Sequence, residues 1–197
     1  MQVCYFASDF HLGAPSKEQS NERERAIVRW LDYAATDATD IYLVGDVFDF
    51  WFEYAAVIPK GYSRFFGKLA ELADRGIQLH FFYGNHDMWV KQYFTDEFGM
   101  KIYANPIQLT LYGKRIYLGH GDGLGPGDRG YKFIKLFLRS TLCQWAFARI
   151  HPNFGIGLAR FFSGKSREGS EHEHQFLGFE HEWLYQFSQA MQQKDPH

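Results

Sequence analysis

The 197-residue chain has little cysteine and no long uninterrupted run of apolar residues. Its two cysteines, Cys4 and Cys143, are too few for a disulfide scaffold or for a zinc site built on thiolates. No stretch of about 18 residues is both apolar and without charged side chains, which excludes a segment built to span a bilayer. The N-terminus lacks a basic stretch followed by an apolar run, so we expect no secretory signal and an intracellular setting.

Acidic residues are missing from one block of the chain, although the net charge of the whole is only −2. Residues 129–167 contain eight Lys or Arg and no Asp or Glu, and their cations are interspersed with bulky apolar side chains. Cations beside an apolar helical face suit an anionic lipid or an anionic membrane surface. Lys and Arg also border the apolar face of many packed helices, which is the alternative interpretation.

Aromatic residues are abundant, with 20 Phe, 12 Tyr and 5 Trp, which excludes a disordered chain. Short apolar runs alternate with segments of helical periodicity up to Gly99 and predict a mainly parallel sheet with flanking helices, an α/β fold. We predict a core over residues 1–127 and a helical appendage over 128–192. The predicted strands cover residues 3–7, 41–44, 77–83, 107–111 and 115–118. The predicted helices cover residues 18–36, 62–75, 88–98, 131–150, 154–162 and 171–192, with a polar loop over 164–170.

Polar residues directly follow four of the predicted strands. The segments are Asp9-Phe10-His11, Gly45-Asp46-Val47-Phe48-Asp49, Gly84-Asn85-His86-Asp87 and Gly119-His120-Gly121-Asp122. In α/β proteins, ligands bind at the carboxyl ends of the sheet strands, so we expect these side chains to meet at that edge of the sheet. Carboxylate, imidazole and amide donors without a thiolate suit Mn²⁺, Fe²⁺ or Zn²⁺. A central carboxylate bridging two such ions would serve phosphoryl transfer.

In their order and spacing, the four motifs resemble those of the calcineurin-like metallophosphoesterases, whose layered sheet core carries flanking helices. The resemblance covers residues 9–122. It implies that Asp9 and His11 hold one metal ion and that Asp46 bridges both ions. It further implies that Asn85 and His120 hold the second ion.

The same resemblance implies roles beside the metal ions. His86 would lie next to the phosphate and assist charge neutralisation or protonation of the leaving group, and Asp87 would orient His86. The role of Asp49 stays open: it could cap a helix, support a neighbouring site residue or bind a metal ion directly. His80 alternates within a predicted strand and is expected to be a packing residue.

Within that family, the chain most resembles the UDP-2,3-diacylglucosamine diphosphatases of lipid A synthesis. The segments Gly45–Trp51 and His120–Tyr131 resemble their second and fourth motifs, and residues 131–167 resemble their helical lid. The substrate contacts that this implies are Asn85, His86, Asp128, Ser166 and Arg167, and Asp128 is also a plausible helix N-cap.

The resemblance also implies a reaction. Water would attack the α-phosphorus of the lipid-linked nucleotide and release UMP and 2,3-diacylglucosamine 1-phosphate. The resemblance implies two divalent ions, Mn²⁺ first and Fe²⁺ or Zn²⁺ as alternatives. The enzyme would be cytoplasmic and peripheral to the inner membrane of a Gram-negative-type cell.

One motif of the family is absent, a late Gly-His-x-His that supplies one imidazole to each metal ion. No such motif follows residue 122, so we expect the chain to derive from a longer parent whose final core strands are missing here. The pair His172 and His174 has the right internal spacing, but no strand or glycine precedes it. Two alternatives therefore stay open: a phosphoesterase acting on nucleic acid or a small nucleotide, and a catalytically impaired lipid-binding domain. A nuclease would present a basic track with aromatic stacking platforms, so we expect no nucleic-acid partner. The oligomeric state stays undetermined.

Overall fold

The computed structural model describes residues 2–123, 129–170 and 178–194. Its strands are β1 (Cys4–Ala7), β2 (Asp40–Val44), β3 (Gln78–Phe82), β4 (Lys101–Tyr103), β5 (Ile107–Leu111) and β6 (Lys114–Leu118). Its helices are α1 (Lys17–Ala34), α2 (Ser63–Asp74), α3 (Tyr93–Phe98), α4 (Arg129–Arg139), α5 (Thr141–Phe147), α6 (Pro152–Ser170) and α7 (Trp183–Lys194), with a short 3₁₀ helix (Phe179–His181) before α7. Among the described helices, none is both long and apolar enough to cross a membrane.

Strands β1 to β4 form a parallel sheet in the order β1-β2-β3-β4, and β5 and β6 form a separate antiparallel hairpin. The register pairs Tyr5 with Ile41 and Ile41 with Leu79, which aligns the carboxyl ends of the first three strands. The mainly parallel α/β sheet that the sequence predicts is therefore confirmed. The three-residue strand β4 was not predicted.

The two faces of the central strands pack against different layers because successive side chains of a strand point in opposite directions. Ile41 and Leu43 of β2 belong to the cluster formed with α1 and α2. Tyr42 and Val44 belong to the cluster that contacts the β5–β6 hairpin. The parallel sheet thus lies between a helical layer and a hairpin layer.

Helices α4 to α6 pack on the loops that follow β2 and β3. Phe50, Phe52 and Trp89 of these loops contact Phe147 of α5, with ring centroids 4.7 Å apart for Phe52 and 4.8 Å for Trp89. The indole N–H of Trp89 also donates a hydrogen bond of 2.7 Å to the carbonyl of Leu138. The loops that carry the second and third motifs are therefore also the base for these helices.

The predicted helix over 131–150 is in fact two helices. The Ser140 hydroxyl accepts a hydrogen bond of 3.2 Å from the backbone N–H of Cys143 and caps α5, so the chain turns at this point. The polar loop predicted over 164–170 is wrong, because α6 continues to Ser170. Gly164 and Gly169 disfavour a helix, but the segment has no proline, and its Lys, Arg and Glu residues favour one.

The predicted helix over 88–98 begins only at Tyr93. The buried carboxylate of Glu53 accepts hydrogen bonds of 2.9–3.1 Å from the backbone N–H groups of Lys91, Gln92 and Tyr93. These bonds satisfy the free donors at the start of α3, as an N-terminal cap does. Residues 171–177 of the helix predicted over 171–192 lie outside the described residues. The described part corrects the prediction, because a separate 3₁₀ helix (Phe179–His181) follows Gly178, whose φ is 104°, and α7 begins only at Trp183.

Candidate metal centre

The loops after β1 and β2 bring three of the predicted ligands together in an uncommon backbone conformation. Asp9, His11 and Asp46 have φ angles of 58°, 44° and 53°, in the left-handed region that residues other than glycine rarely adopt. The loops support each other through hydrogen bonds from Asp9 N to Gly45 O (3.1 Å) and from His11 N to Asp46 O (2.9 Å). Backbone strain of this kind concentrates at functional sites.

Asp46 is the centre of the cluster and is almost completely buried, with 3% of its surface exposed. Its Oδ2 lies 3.7 Å from His11 Nε2 and 3.4 Å from His120 Nε2. Asp9 Oδ1 lies 3.9 Å from His11 Nε2, and Asn85 Oδ1 lies 3.2 Å from His120 Nε2. The structure thus brings together all five residues that the sequence predicts as metal ligands.

Two glycines permit this close approach. A Cβ atom on Gly84 would lie 2.1 Å from Asp46 Oδ1 and 2.3 Å from Asp46 N. A Cβ atom on Gly45, which also has a φ of 82°, would lie 2.6 Å from His120 Nδ1. Larger residues at either position would displace a candidate ligand.

Two groups of donor atoms suit metal ions. One consists of His11, Asp46 and His86, the other of Asp9, Asp46 and His120, and the donor atoms of each group lie within 4.8 Å of one another. Ligands on one tetrahedral ion with bonds of about 2.1 Å lie about 3.4 Å apart. The spacings around Asp46 fit that requirement, and Asp46 belongs to both groups, as a bridging carboxylate would.

The electrostatics of the cluster favour an ionised Asp46. Burial raises the pKa of Asp46, but the contacts and charges of His120 and His86 outweigh it and bring the pKa below the usual value. Burial lowers the pKa of His11, which keeps its imidazole neutral. Burial also lowers the pKa of His120, but Asp46 overrides this effect and raises it to about 9. Metal binding at His120 therefore requires release of a proton.

His86 is held from two sides. Its backbone N–H donates to Asp46 Oδ1 (2.9 Å), and its Nδ1 lies 3.0 Å from the carbonyl oxygen of Asp49. The hydroxyl of Ser163, in α6, lies 2.9 Å from the same Nδ1 and donates to Asp49 Oδ1 at 2.9 Å. The carboxylate of Asp49 is buried, so the supporting role that the sequence left open for it is the one that its contacts favour.

Asp87 has other partners than the resemblance implies. Its fully buried carboxylate accepts hydrogen bonds of 2.7–3.3 Å from the backbone N–H groups of Asp46, Val47, Phe48 and Gly84. Burial and the charge of Asp46 raise the pKa of Asp87 to about 7, against the effect of these hydrogen bonds. The expectation that Asp87 orients His86 is corrected here, because Asp87 instead holds the loop that carries Asp46.

The side chains of the remaining predicted site residues lie outside the described part of the structure. Asp128, His172 and His174 lie outside the described residues. Ser166 and Arg167 belong to α6, but their side chains are outside the described part of the structure. The sequence contained no signal for Ser163, whereas the Gly-Asp-x-x-Asp motif already pointed to Asp49.

A cavity of about 560 Å³ adjoins the cluster. The polar residues of its lining are Asp49, Asn85, His86, Ser163 and Lys135 of α4, whose ammonium forms an ion pair with Asp122 at 2.5 Å. The rest of its lining is mainly apolar and comes from the loops after β2 and β3 and from α4 to α6. These residues include Phe50, Met88, Trp89, Ile134, Leu138, Cys143, Phe147, Leu158 and Ala159. The cavity can therefore hold an apolar group beside the polar cluster.

The comparison with known families identifies the class of protein. The calcineurin-like phosphoesterase family matches residues 4–155, and the chain belongs to that family. The family and fold predicted from the four motifs are thus confirmed.

Individual proteins of this family provide a narrower comparison. The chain is 37% identical over 204 residues to a UDP-2,3-diacylglucosamine hydrolase of Porphyromonas gingivalis, covering 98% of this chain and 78% of the relative. It is 31% identical over 172 residues to the protein of the same name from Aeromonas hydrophila, covering 87% and 69% of the two chains. A crystal structure of an Aquifex aeolicus protein of unknown function aligns over 69% of each chain, with 19% identity and a TM-score of 0.43.

Proposed function

We propose that this chain hydrolyses the diphosphate of UDP-2,3-diacylglucosamine to UMP and 2,3-diacylglucosamine 1-phosphate. The observation that carries the proposal is the mainly apolar cavity that adjoins Asn85 and His86. An acyl chain in this cavity would leave the diphosphate of the same molecule beside the cluster around Asp46. The names of the relatives from Porphyromonas gingivalis and Aeromonas hydrophila support the same substrate.

Two divalent ions fit the donor set of the cluster. The resemblance assigns Asp9, His11 and Asp46 to one ion and Asp46, Asn85 and His120 to the other. The spacing of the donor atoms instead groups Asp9 with His120 and His11 with His86, and Asp46 is shared in both assignments. Bound ions of this kind polarise phosphate oxygens and lower the pKa of a coordinated water toward about 7. We favour Mn²⁺, with Fe²⁺ or Zn²⁺ as alternatives, because the donors are carboxylate, imidazole and amide oxygen.

The residues of the chain have separate tasks in this reaction. His86 directs Nδ1 at the Asp49 carbonyl and leaves Nε2 free to face the phosphate. The doubly protonated imidazole, with a proton on each nitrogen, would neutralise the phosphate or protonate the leaving group through Nε2. Asn85 and His86 would contact the diphosphate. Asp128, Ser166 and Arg167 stay predicted substrate contacts. In this proposal the core spans residues 1–127, and a helical lid over residues 128–192 covers the substrate.

The experiment that tests the proposal is an assay of UMP release from UDP-2,3-diacylglucosamine in detergent micelles with Mn²⁺. Asp46→Ala should abolish the release, because both groups of ligands lose their shared carboxylate. Asp74→Ala, an exposed change at the end of α2, should leave it unchanged. UDP-N-acetylglucosamine, which lacks the acyl chains, should be a poor substrate. Hydrolysis of a soluble phosphodiester but not of the lipid would overturn the substrate assignment.

We further propose that α4 and α5 contact an anionic membrane surface, from which the substrate is taken. Phe133, Leu136 and Trp145 expose 71%, 73% and 57% of their surface within the block that has no acidic residue. Sedimentation with vesicles of phosphatidylglycerol tests the idea, with phosphatidylcholine vesicles as the comparison. Leu136→Ser should weaken binding to the anionic vesicles, and Tyr33→Ser, an equally exposed change in α1, should not.

A further inference from the structure

Ser163 lies at the junction of α6 and the metal cluster. It belongs to none of the four motifs, yet its Oγ is 2.9 Å from His86 Nδ1, 2.9 Å from Asp49 Oδ1 and 3.1 Å from Asp49 O. Ser163 is half-buried, and it lines the cavity together with Asp49 and His86. One hydroxyl from the helical segment therefore contacts the imidazole of His86 together with the carboxylate and the carbonyl of Asp49.

The chemistry of the three groups determines where the hydrogen atoms lie. The carboxylate and the carbonyl of Asp49 are acceptors only, so the Ser163 hydroxyl donates to the carboxylate. The same reasoning places a proton on His86 Nδ1, where the Asp49 carbonyl and the Ser163 oxygen both accept from it. A second partner of this kind fixes the tautomer and the ring orientation of an imidazole.

The position of Ser163 depends on how α6 packs on the loops below it. Leu158 and Ala159, which precede Ser163 in α6, line the same cavity. Nearer the start of α6, a Cβ atom on Gly155 would lie 2.8 Å from the Tyr54 hydroxyl, which shows how closely the helix approaches the loop after β2. A change in the packing of α6 along the cavity would therefore move the hydroxyl that contacts His86.

We infer that Ser163 is a positioning residue that holds the His86 imidazole in one tautomer and orientation, and that it links the packing of α6 along the cavity to the reaction at the phosphate. The kinetic part of this inference rests on the proposed function. The part concerning the tautomer does not, because it can be measured without metal ions or substrate.

The first test is nuclear magnetic resonance of the full chain labelled with ¹⁵N-histidine, without added metal. The wild-type His86 signals, assigned by their loss in His86→Gln, should show the Nδ1–H tautomer. Ser163→Ala should give a mixture of tautomers, and Ser163→Thr, which keeps the hydroxyl, should restore the wild-type signals. Unchanged His86 signals in Ser163→Ala would overturn the inference.

The second test is kinetic. Loss of such a supporting partner typically lowers activity by about 10–100-fold, so Ser163→Ala should lower kcat about tenfold while KM is unchanged. Ser163→Thr should recover kcat, and Ser188→Ala, an exposed change in α7, should have no effect. Alanine favours a helix more than serine, so a loss of folding is not expected. A wild-type kcat in Ser163→Ala, or an equal loss in Ser163→Thr, would contradict the inference. Failure of the wild-type chain to cleave the lipid would instead refute the proposed function and leave the tautomer measurement valid.

Discussion

Replacement of Gly84 by alanine tests the geometry of the cluster most directly. The added Cβ would lie 2.1 Å from Asp46 Oδ1, and the shift needed to reach 3.0 Å is about 0.9 Å. Bonds to a metal ion tolerate changes of only about 0.2 Å, so a shift of this size removes the bridging carboxylate from its position. We expect the affinity for Mn²⁺ to fall by at least about 10–100-fold, the loss typical of a disturbed supporting contact.

The same replacement should also destabilise the fold. Extra atoms in a closely packed interior cost about 1–3 kcal/mol of unfolding free energy. Gly67→Ala is the matched control, because Gly67 is an exposed residue of α2 with no atom within 4 Å of the added Cβ. Alanine in a helix is more stable than glycine by about 0.5–1 kcal/mol, so the control should change stability in the opposite direction.

Calorimetric titration with Mn²⁺ and urea unfolding of the metal-free chain measure the two effects separately. If Gly84→Ala binds Mn²⁺ with wild-type affinity and unfolds at the wild-type urea concentration, the close packing of Gly84 on Asp46 is refuted. If only the affinity for Mn²⁺ falls, the loop has adapted without losing unfolding free energy, and only the Asp46 carboxylate has moved.

Three further predictions concern the framework around the site. Glu53→Gln directs an amide N–H₂ at backbone donors, and each buried donor left unpaired costs about 1–3 kcal/mol, measured by urea unfolding. Ser140→Ala removes the cap of α5 that accepts from Cys143 N and should cost about 1 kcal/mol, measured in the same way. Burial lowers the pKa of His80 despite its contact with Asp40 (3.1 Å), so the unfolded chain binds a proton that the folded chain does not. The contribution of His80 to stability should therefore fall as the pH decreases from about 7 to 5, so the wild type should lose stability relative to His80→Gln in urea unfolding at the two pH values.

Exposed residues of the same types serve as controls for the first two of these variants. Glu97→Gln in α3 and Ser188→Ala in α7 should leave stability unchanged. Equal effects in a variant and its control would contradict the contact assigned to Glu53 or Ser140.

Two helix boundaries could not be predicted from the sequence. Periodicity located the amphipathic segments, but it did not detect the break at Ser140 or the late start of α3 at Tyr93. Both boundaries depend on side chains that satisfy free backbone N–H groups, and the Glu53 carboxylate at α3 comes from a distant loop. Strand β4 has only three residues, too few for a recognisable alternation.

The sequence by itself determined the candidate ligands and their meeting place. Asp9, His11, Asp46, Asn85 and His120 each follow a strand, and aligned strands present their carboxyl ends at one edge. That inference needs only local patterns and the geometry of a sheet.

Only the tertiary structure decided which groups support the imidazole of His86. Asp87 is adjacent in the sequence, but its carboxylate is directed at four backbone N–H groups. Asp49 and Ser163, 37 and 77 positions away, lie beside Nδ1 instead. Their contact depends on the packing of α6 against the loops after β2 and β3, and no local pattern in the chain encodes the distance between a helix and a loop so far apart in sequence.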